Sequence, residues 1–200
     1  MTGTKKERIL ELLKQTDVLR PRDLEEIGIS GEYLNKLHAE GVLARPGRGL
    51  YTLVDTEPSE HRSIAEASKL VPRGIICLLT ALRFHELTTQ APFEVWLAIG
   101  EKARRPNIDY PPLRIVRFSG NALTYGVEEH QIDGVTAQIY SPAKTVADCF
   151  KYRNKIGLDV AIEALRDCHR QRKATMDQMW EAARACRMTK VIRPYLEAVT

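Results

Sequence analysis

The pattern of apolar residues, proline and glycine in the first 54 residues constrains the fold of this 200-residue chain most strongly. Residues 5–15 carry apolar side chains three and four positions apart, which is the spacing of one buried stripe on a helix. Pro21 suits the first position of a second helix, because a residue there needs no backbone N–H donor. Gly28 suits the left-handed conformation that ends such a helix. We therefore expect two helices with a break between them.

A third helix and a hairpin follow in the sequence. Ser30 can accept a hydrogen bond as the N-cap of a helix that runs to about Glu40. Two strand-like segments, 42–45 and 50–54, flank the turn-forming sequence Pro46-Gly47-Arg48-Gly49. Three helices and a hairpin in this order are typical of the winged helix-turn-helix. In that fold the third helix enters the major groove of duplex DNA, and the wing lies along the backbone or the minor groove.

The side chains that would face DNA in such a module are polar or basic. Asn can bond adenine through two groups at once, and Lys can bond guanine acceptors or phosphate. Arginines near the start of the second helix and at the wing turn are placed to contact backbone phosphates. Each position, taken alone, also fits an ordinary solvated surface. The predicted DNA-binding residues are Arg20, Arg22, Ser30, Tyr33, Asn35, Lys36, Arg45 and Arg48.

The rest of the chain mixes helical and strand patterns. A polar segment with a proline over residues 55–60 predicts a linker, which separates a DNA-binding domain over 1–56 from a second domain over 57–200. The predicted helices cover residues 61–70, 80–87, 141–152, 158–172, 175–186 and 189–198. The predicted strands cover residues 74–79 (which also fit the start of a helix), 94–99, 113–118 and 135–140. The expected fold class is α+β: an N-terminal winged helix-turn-helix, then an α+β domain that ends in helices.

Charge is distributed unevenly along the chain, whose net charge is +4. Residues 1–54 carry nine Lys or Arg against eight Asp or Glu, whereas residues 151–200 carry eleven against six. A nearly neutral DNA-binding module still works if its cations lie on one side. The basic final quarter is either a solvated helix surface or a second nucleic-acid contact. The residues of that possible second contact are Arg166, Arg170, Arg184 and Arg187.

Several classes of protein lack their signatures in this sequence. No apolar run reaches the roughly 18 residues that a membrane span requires. An amphipathic helix rather than an apolar leader follows the N-terminus, so we expect a cytoplasmic protein with no membrane partner. The four cysteines are widely spaced and have no His at zinc-finger spacing, which favours apolar packing over a metal site. No glycine-rich phosphate loop is present, and no cofactor is expected.

Catalytic motifs are incomplete as well. His85-Glu86 is not followed by the second His of a metalloprotease helix. Ser141 and Lys144 have the spacing of a Ser-x-x-Lys acyl enzyme, but the companion motifs are missing and helix capping accounts for Ser141. We therefore expect no catalytic residue, no metal ligand and no enzymatic activity.

Three short segments lie in the predicted third helix and wing: Glu32-Tyr33-Leu34, Gly41-Val42-Leu43 and Arg48-Gly49-Leu50-Tyr51. Their order resembles the tyrosine-leucine, glycine-x-leucine and glycine-leucine-tyrosine pattern of the AbiEi-type antitoxins. Residues 80–87, 94–99 and 141–148 resemble a helix, a strand and a helix start in the second domain of the same family. The resemblance covers nearly the whole chain.

This resemblance implies an antitoxin of a type IV toxin–antitoxin system, a kind of system often carried as phage defence. The resemblance also implies an autorepressor, whose winged helix binds inverted repeats of duplex DNA in its own promoter. The resemblance further implies that the second domain counteracts a nucleotidyltransferase toxin without forming a stable complex with it. It assigns DNA binding to Tyr33, Asn35, Lys36, Arg45 and Arg48, and assigns Asp148 to capping and packing.

Two alternative functions stay open at this point. One is a winged-helix repressor whose second domain senses a small molecule and has no toxin partner. The other is a nuclease tethered to DNA by the wing, which would use Glu86, Glu94 and Lys102. A neighbouring toxin gene distinguishes the first alternative, and metal-dependent cleavage of DNA or tRNA would reveal the second.

Overall fold

The computed structural model describes residues 3–55 and 57–199. In it, a cap formed by Thr4 and Glu7 sets the start of the first helix. The hydroxyl of Thr4 accepts a hydrogen bond from the Glu7 amide at 3.2 Å. The Glu7 carboxylate accepts one from the Thr4 amide at 2.8 Å. This reciprocal cap satisfies two amides that the helix itself leaves without partners. As predicted, α1 spans Lys5–Gln15.

The second and third helices meet at a tight turn. α2 (Pro21–Glu25) begins at the expected proline, and Gly28 adopts the expected left-handed conformation with a φ of 71°. α3 (Glu32–Ala39) has Gly31 at its N-cap, so the predicted cap at Ser30 is one residue too early. The Ser30 hydroxyl nevertheless accepts a hydrogen bond from the amide of Glu32 at 3.3 Å. A Cβ on Gly31 would lie 2.5 Å from the Cβ of Pro21, so this close approach of the two helices requires glycine.

The wing is an antiparallel hairpin of β1 (Leu43–Gly47) and β2 (Leu50–Leu53), as predicted. Gly49 has a φ of 77°, which lets the two-residue turn reverse the chain. Leu19, between α1 and α2, exchanges two backbone hydrogen bonds of 2.9 Å with Tyr51. The wing is therefore joined to the helices by backbone as well as by side chains.

One apolar core lies beneath these five elements. Leu34 and Leu37, the predicted inner side of the third helix, are both fully buried. Burial of each leucine side chain contributes about 1.5–3 kcal/mol. The buried residues of this core are Ile9, Leu13, Leu19, Leu24, Ile29, Leu34, Leu37, Leu43 and Tyr51. The short helices are stable because they share this core, since isolated helices of this length are marginal in water.

The chain divides into two compact units that exchange segments along the sequence. The first unit comprises Met1–Pro72, Pro106–Leu113 and His130–Ala137, and the second comprises Arg73–Arg105, Arg114–Glu129 and Gln138–Thr200. The first unit thus adds α4 (Arg62–Leu70) and two later segments to the winged helix. The two domains expected from the linker, 1–56 and 57–200, stay a prediction.

Within the first unit, α4 holds the start of α2 by charge pairs. The ammonium of Lys69 lies 2.9 Å from a carboxylate oxygen of Asp23. The guanidinium of Arg20 lies 3.3 Å from the other oxygen of Asp23 and donates a hydrogen bond to the carbonyl of Lys69. These three side chains are only 17–23% exposed, so the contacts are better shielded from salt than surface pairs.

A five-stranded sheet follows the winged helix in the chain. Its strands are β3 (Ile75–Ile76), β4 (Val95–Gly100), β5 (Leu113–Phe118), β6 (Val127–Ile132) and β7 (Val135–Tyr140). Their order is β5-β4-β3-β7-β6. The central β3 pairs antiparallel with β4 and parallel with β7. The predicted strands over 94–99, 113–118 and 135–140 are confirmed, whereas β6 has no counterpart among the predicted strands.

Helices form the rest of the second unit and end the described chain. They are α5 (Leu78–Phe84), α6 (Asn121–Thr124), α7 (Pro142–Lys151), α8 (Arg153–Ile156), α9 (Leu158–Arg170), α10 (Met176–Ala185) and α11 (Thr189–Val199). Ser141 caps α7 through its hydroxyl, which accepts a hydrogen bond from the Lys144 amide, as the sequence predicts. The fold is α+β, with a winged helix-turn-helix first and helices last.

A buried ion pair lies in the middle of α7. Lys144 and Asp148, one turn apart, are both fully buried and pair through their charged atoms. The thiol of Cys186 donates a hydrogen bond to the second carboxylate oxygen of Asp148 at 3.2 Å. The Lys144 ammonium also lies 3.9 Å from the centre of the Tyr140 ring. Burial raises the pKa of Asp148, and the ammonium of Lys144 opposes that rise. The pair packs the core of the second unit.

Candidate nucleic-acid interface

The outer side of α3 is polar and exposed. Asn35 and Lys36 lie at the middle of the helix and are exposed, while their neighbours Leu34 and Leu37 are fully buried. Tyr33 is half-buried at the flank. The major groove is about 12 Å wide, which is the width a helix of this kind fills. The side chains that the sequence predicts for base readout therefore project away from the core.

Asn35 is oriented by a residue of the wing. The hydroxyl of Tyr51 donates a hydrogen bond to Oδ1 of Asn35 at 2.6 Å, and Tyr51 is only 2% exposed. The amide oxygen has a second lone pair and the amide nitrogen has two hydrogens, so the side chain keeps an acceptor and donors for the edge of adenine. A side chain held in one rotamer loses less entropy when it binds.

Tyr51 is not among the residues predicted for the interface. The signal that could have found it is the hydroxyl itself, because a buried tyrosine needs a hydrogen-bond partner. Its partner is one of the predicted DNA-binding side chains.

Lys36 is held only loosely. Its ammonium lies 3.9 Å from a carboxylate oxygen of Glu40 and 5.5 Å from the centre of the Tyr33 ring. The Lys36 side chain is 62% exposed. An exposed pair of this kind contributes about 0–1 kcal/mol, so an incoming phosphate or guanine can displace Glu40 from Lys36.

The wing brings two arginines to the same module. Arg45 and Arg48 are both exposed, and Arg48 lies in the turn beside Gly49. The guanidinium of Arg45 lies 5.7 Å from the centre of the Tyr51 ring. Tyr51 therefore contacts Asn35 through its hydroxyl and Arg45 through its ring face, so one buried side chain links the helix to the wing.

The residues predicted at the start of α2 and at the turn separate into two groups. Arg22 is exposed, as a phosphate contact requires. Ser30 is exposed as well, with its hydroxyl oxygen engaged by the Glu32 amide. Arg20 differs from both, because its guanidinium is engaged by Asp23 and the Lys69 carbonyl within the first unit. Its predicted phosphate contact stays a prediction.

Two of the four C-terminal arginines lie among carboxylates. Arg166 shares a shallow groove on α9 with Asp159, Glu163 and Asp167. Arg170 forms an ion pair with Asp167 at 2.8 Å. Three acidic residues and two basic ones on one stretch of helix leave no excess of positive charge for phosphate. The expected second nucleic-acid contact therefore has no support at Arg166 and Arg170.

The other two C-terminal arginines lie at the end of α10. Arg184 is in the last turn of that helix, and Arg187 follows it with a φ of 60°. Both side chains are exposed. Arg187 lines a small pocket together with Lys151. The second nucleic-acid contact expected at Arg184 and Arg187 stays a prediction.

Two of the residues weighed for catalysis, His85 and Glu86, contact other parts of the protein. A ring nitrogen of His85 lies 2.7 Å from the carbonyl oxygen of Tyr140, and Glu86 pairs with Lys173 at 3.0 Å. Across residues 3–55 and 57–199, no three His, Cys, Asp or Glu side chains are grouped to hold a metal ion. In the same described residues, no helix is both long and apolar enough to cross a membrane. The four cysteines are free and buried.

The segment that carries the candidate interface matches a known family. Residues 7–54 match the family model described as "Transcriptional regulator, AbiEi antitoxin". The matched range runs from α1 to the end of the wing, and the remainder of the chain lies outside it. A comparison with curated proteins gives no match. Residues 7–54 are therefore similar to the AbiEi antitoxin family of transcriptional regulators, as the sequence segments predict.

Proposed function

We propose that this protein represses its own operon by binding inverted repeats of duplex DNA, and that it is the antitoxin of a type IV toxin–antitoxin system. The observation that supports repression best is one surface of the winged helix. It consists of Asn35, Lys36, Arg45 and Arg48, all exposed, and we call it the readout surface. The family match spans all four residues.

On this proposal α3 enters the major groove. Asn35 bonds the edge of adenine, and Lys36 bonds guanine or a phosphate. Arg45 and Arg48 contact backbone phosphates beside the groove and fix the register of the helix. Tyr51 is a positioning residue, because it holds Asn35 and Arg45 without reaching DNA itself.

The charge of the module supports the choice of an inverted repeat. Nine cations against eight anions in residues 1–54 give little general attraction to DNA. Two copies on two half-sites double the phosphate contacts, and the second copy binds at a raised effective concentration. Half-sites separated by about one helical turn, roughly 34–36 Å, or by a multiple of it, are expected.

The antitoxin role is supported by the description of the matched family. We propose that the target is a nucleotidyltransferase toxin, that the protein counteracts it without a stable complex, and that the protein itself catalyses no reaction. The readout surface then serves repression alone, and neutralisation uses other parts of the chain.

DNA binding is tested with the full chain and a duplex from upstream of its own gene. Fluorescence anisotropy at several salt concentrations should give a specific affinity at least 10³-fold above that for a scrambled duplex of equal length. Footprinting should show two protected half-sites. Equal affinity for both duplexes would contradict the repressor proposal.

Antitoxin activity is tested by expressing the full chain with the toxin encoded beside it. The wild-type chain and the Asn35→Ala/Arg48→Ala variant should both rescue growth, while only the wild type should repress a promoter reporter. Size-exclusion chromatography of the two purified proteins should show separate peaks. Failure of the wild type to rescue would leave a repressor without a toxin partner.

A further inference from the structure

A small pocket in the second unit carries two cations that the proposed function does not use. Its volume is about 170 Å³. Lys151, at the end of α7, and Arg187, just after α10, lie in its wall, and Ser119 and Asn121 add a hydroxyl and an amide. Its remaining lining residues are Gly120, Ala122, Ala185 and Cys186, so no acidic side chain lines the pocket.

Neither of these two cations is paired with a carboxylate of the described residues. Both side chains are exposed, and within residues 3–55 and 57–199 neither lies within 4 Å of a carboxylate. The only ring contact of the Lys151 ammonium among those residues is with Phe118, at 5.7 Å from the ring centre. Arg166, in contrast, shares a groove with three acidic side chains, and Arg170 pairs with Asp167.

The floor of the pocket is polar but does not repel anions. Cys186 is nearly buried there, and its thiol donates to Asp148 behind it. The charge of Asp148 is balanced by the fully buried Lys144. Burial raises the pKa of Cys186 to about 12, so the sulfur stays protonated at neutral pH. The charge of Asp148 is therefore paired, and Lys151 and Arg187 are the charged side chains in the described lining of the pocket.

The size of the pocket limits what it can bind. Pockets for drug-sized ligands measure roughly 300–1,000 Å³, and this one is smaller. A group that suits two cations, a hydroxyl and an amide in a small space is a compact anion with several acceptor oxygens, which is the chemistry of a phosphate group. We propose that this pocket binds the phosphate group of a small phosphorylated ligand.

The test uses the full chain and two probes, inorganic phosphate and ribose 5-phosphate, titrated by calorimetry at constant ionic strength. Saturable binding is expected for the wild type. Arg187→Gln and Lys151→Gln should each weaken it about tenfold or more, because each removes a charge-assisted hydrogen bond. The double variant should bind neither probe.

The matched control is Arg184→Gln, because Arg184 is an exposed arginine of the same helix end but is not in the pocket wall. It should bind both probes like the wild type, and all variants should melt at the wild-type temperature without ligand. Absence of saturable binding by the wild type, or equal losses in Arg184→Gln and Arg187→Gln, would overturn the proposal. So would an Arg187→Gln variant that weakens only DNA binding, since the pocket would then contact the nucleic-acid backbone.

This outcome is independent of the repressor proposal. Loss of operator binding in the readout-surface variants, with phosphate binding unchanged, would support both proposals separately.

Discussion

The winged helix and the C-terminal helices both carry basic residues, but the surroundings of those residues differ. Residues 1–54 are nearly neutral, with nine cations against eight anions, yet Asn35, Lys36, Arg45 and Arg48 are exposed together. Residues 151–200 carry eleven cations against six anions, yet Arg166 and Arg170 lie beside carboxylates on α9. Within the more basic segment, α9 therefore has no excess of positive charge for phosphate.

The physical reason is the short range of electrostatics in salt. At physiological ionic strength charges are screened over about 8 Å, so a phosphate responds to the nearest side chains and not to the total of a segment. Net charge along the sequence therefore does not identify the side chains that can bind a phosphate.

Replacing the buried cation of the second unit should lower the free energy of unfolding the most. Lys144→Met leaves Asp148 charged and without its partner at a fully buried position, so the free energy of unfolding should fall by about 3–5 kcal/mol. Lys36→Met, which breaks an exposed pair in the first unit, should change it by about 0.5 kcal/mol or less. Urea denaturation measures both. Equal losses in the two variants would remove the distinction between buried and exposed cations.

Asn35→Ala should lower affinity for the operator by about 1–3 kcal/mol, or roughly 5- to 150-fold, because a bidentate base contact is lost. Affinity for a scrambled duplex should not change, since phosphate contacts remain. Anisotropy with the two duplexes measures the ratio. A parallel loss for both would mean that Asn35 does not read bases.

The arginines of the two regions can be compared directly. Arg45→Ala/Arg48→Ala should reduce the slope of log affinity against log salt by about two units, one for each lost phosphate contact. Arg166→Ala/Arg170→Ala removes the same formal charge and should leave the slope unchanged. A smaller slope in the second variant would show that Arg166 or Arg170 contacts a DNA phosphate.

Tyr51→Phe should have a small effect on both stability and operator affinity. It removes the hydroxyl that orients Asn35 but keeps the ring in the core, so stability should fall by about 0.5–1.5 kcal/mol. Operator affinity should fall by less than in Asn35→Ala, with scrambled DNA unaffected. The double variant Tyr51→Phe/Asn35→Ala should bind like Asn35→Ala alone. Additive losses would show that Tyr51 acts independently of Asn35.

Several features of the fold were predictable because their causes are local. Three such features are confirmed: the apolar period of α1, the start of α2 at Pro21 and the cap of α7 at Ser141. Each depends on residues within about one helical turn. β6 escaped prediction because it is an edge strand with mostly polar side chains, so it lacks the alternation of a half-buried strand. The acidic neighbours of Arg166 were also visible in the sequence, but the predicted second contact was based on the arginines alone.

Caps, periodicity and short motifs are properties of neighbouring residues, so the sequence alone predicts the winged helix, the α+β class and the similarity of residues 7–54 to the AbiEi antitoxin family. Which polar side chains are free to bind depends instead on the tertiary structure. Tyr51 orients Asn35 across 16 positions of the chain, and Arg20 is engaged by a carbonyl 49 positions away. Lys151 and Arg187 meet at one pocket in the same way. Such contacts depend on how the core packs, which no local pattern specifies.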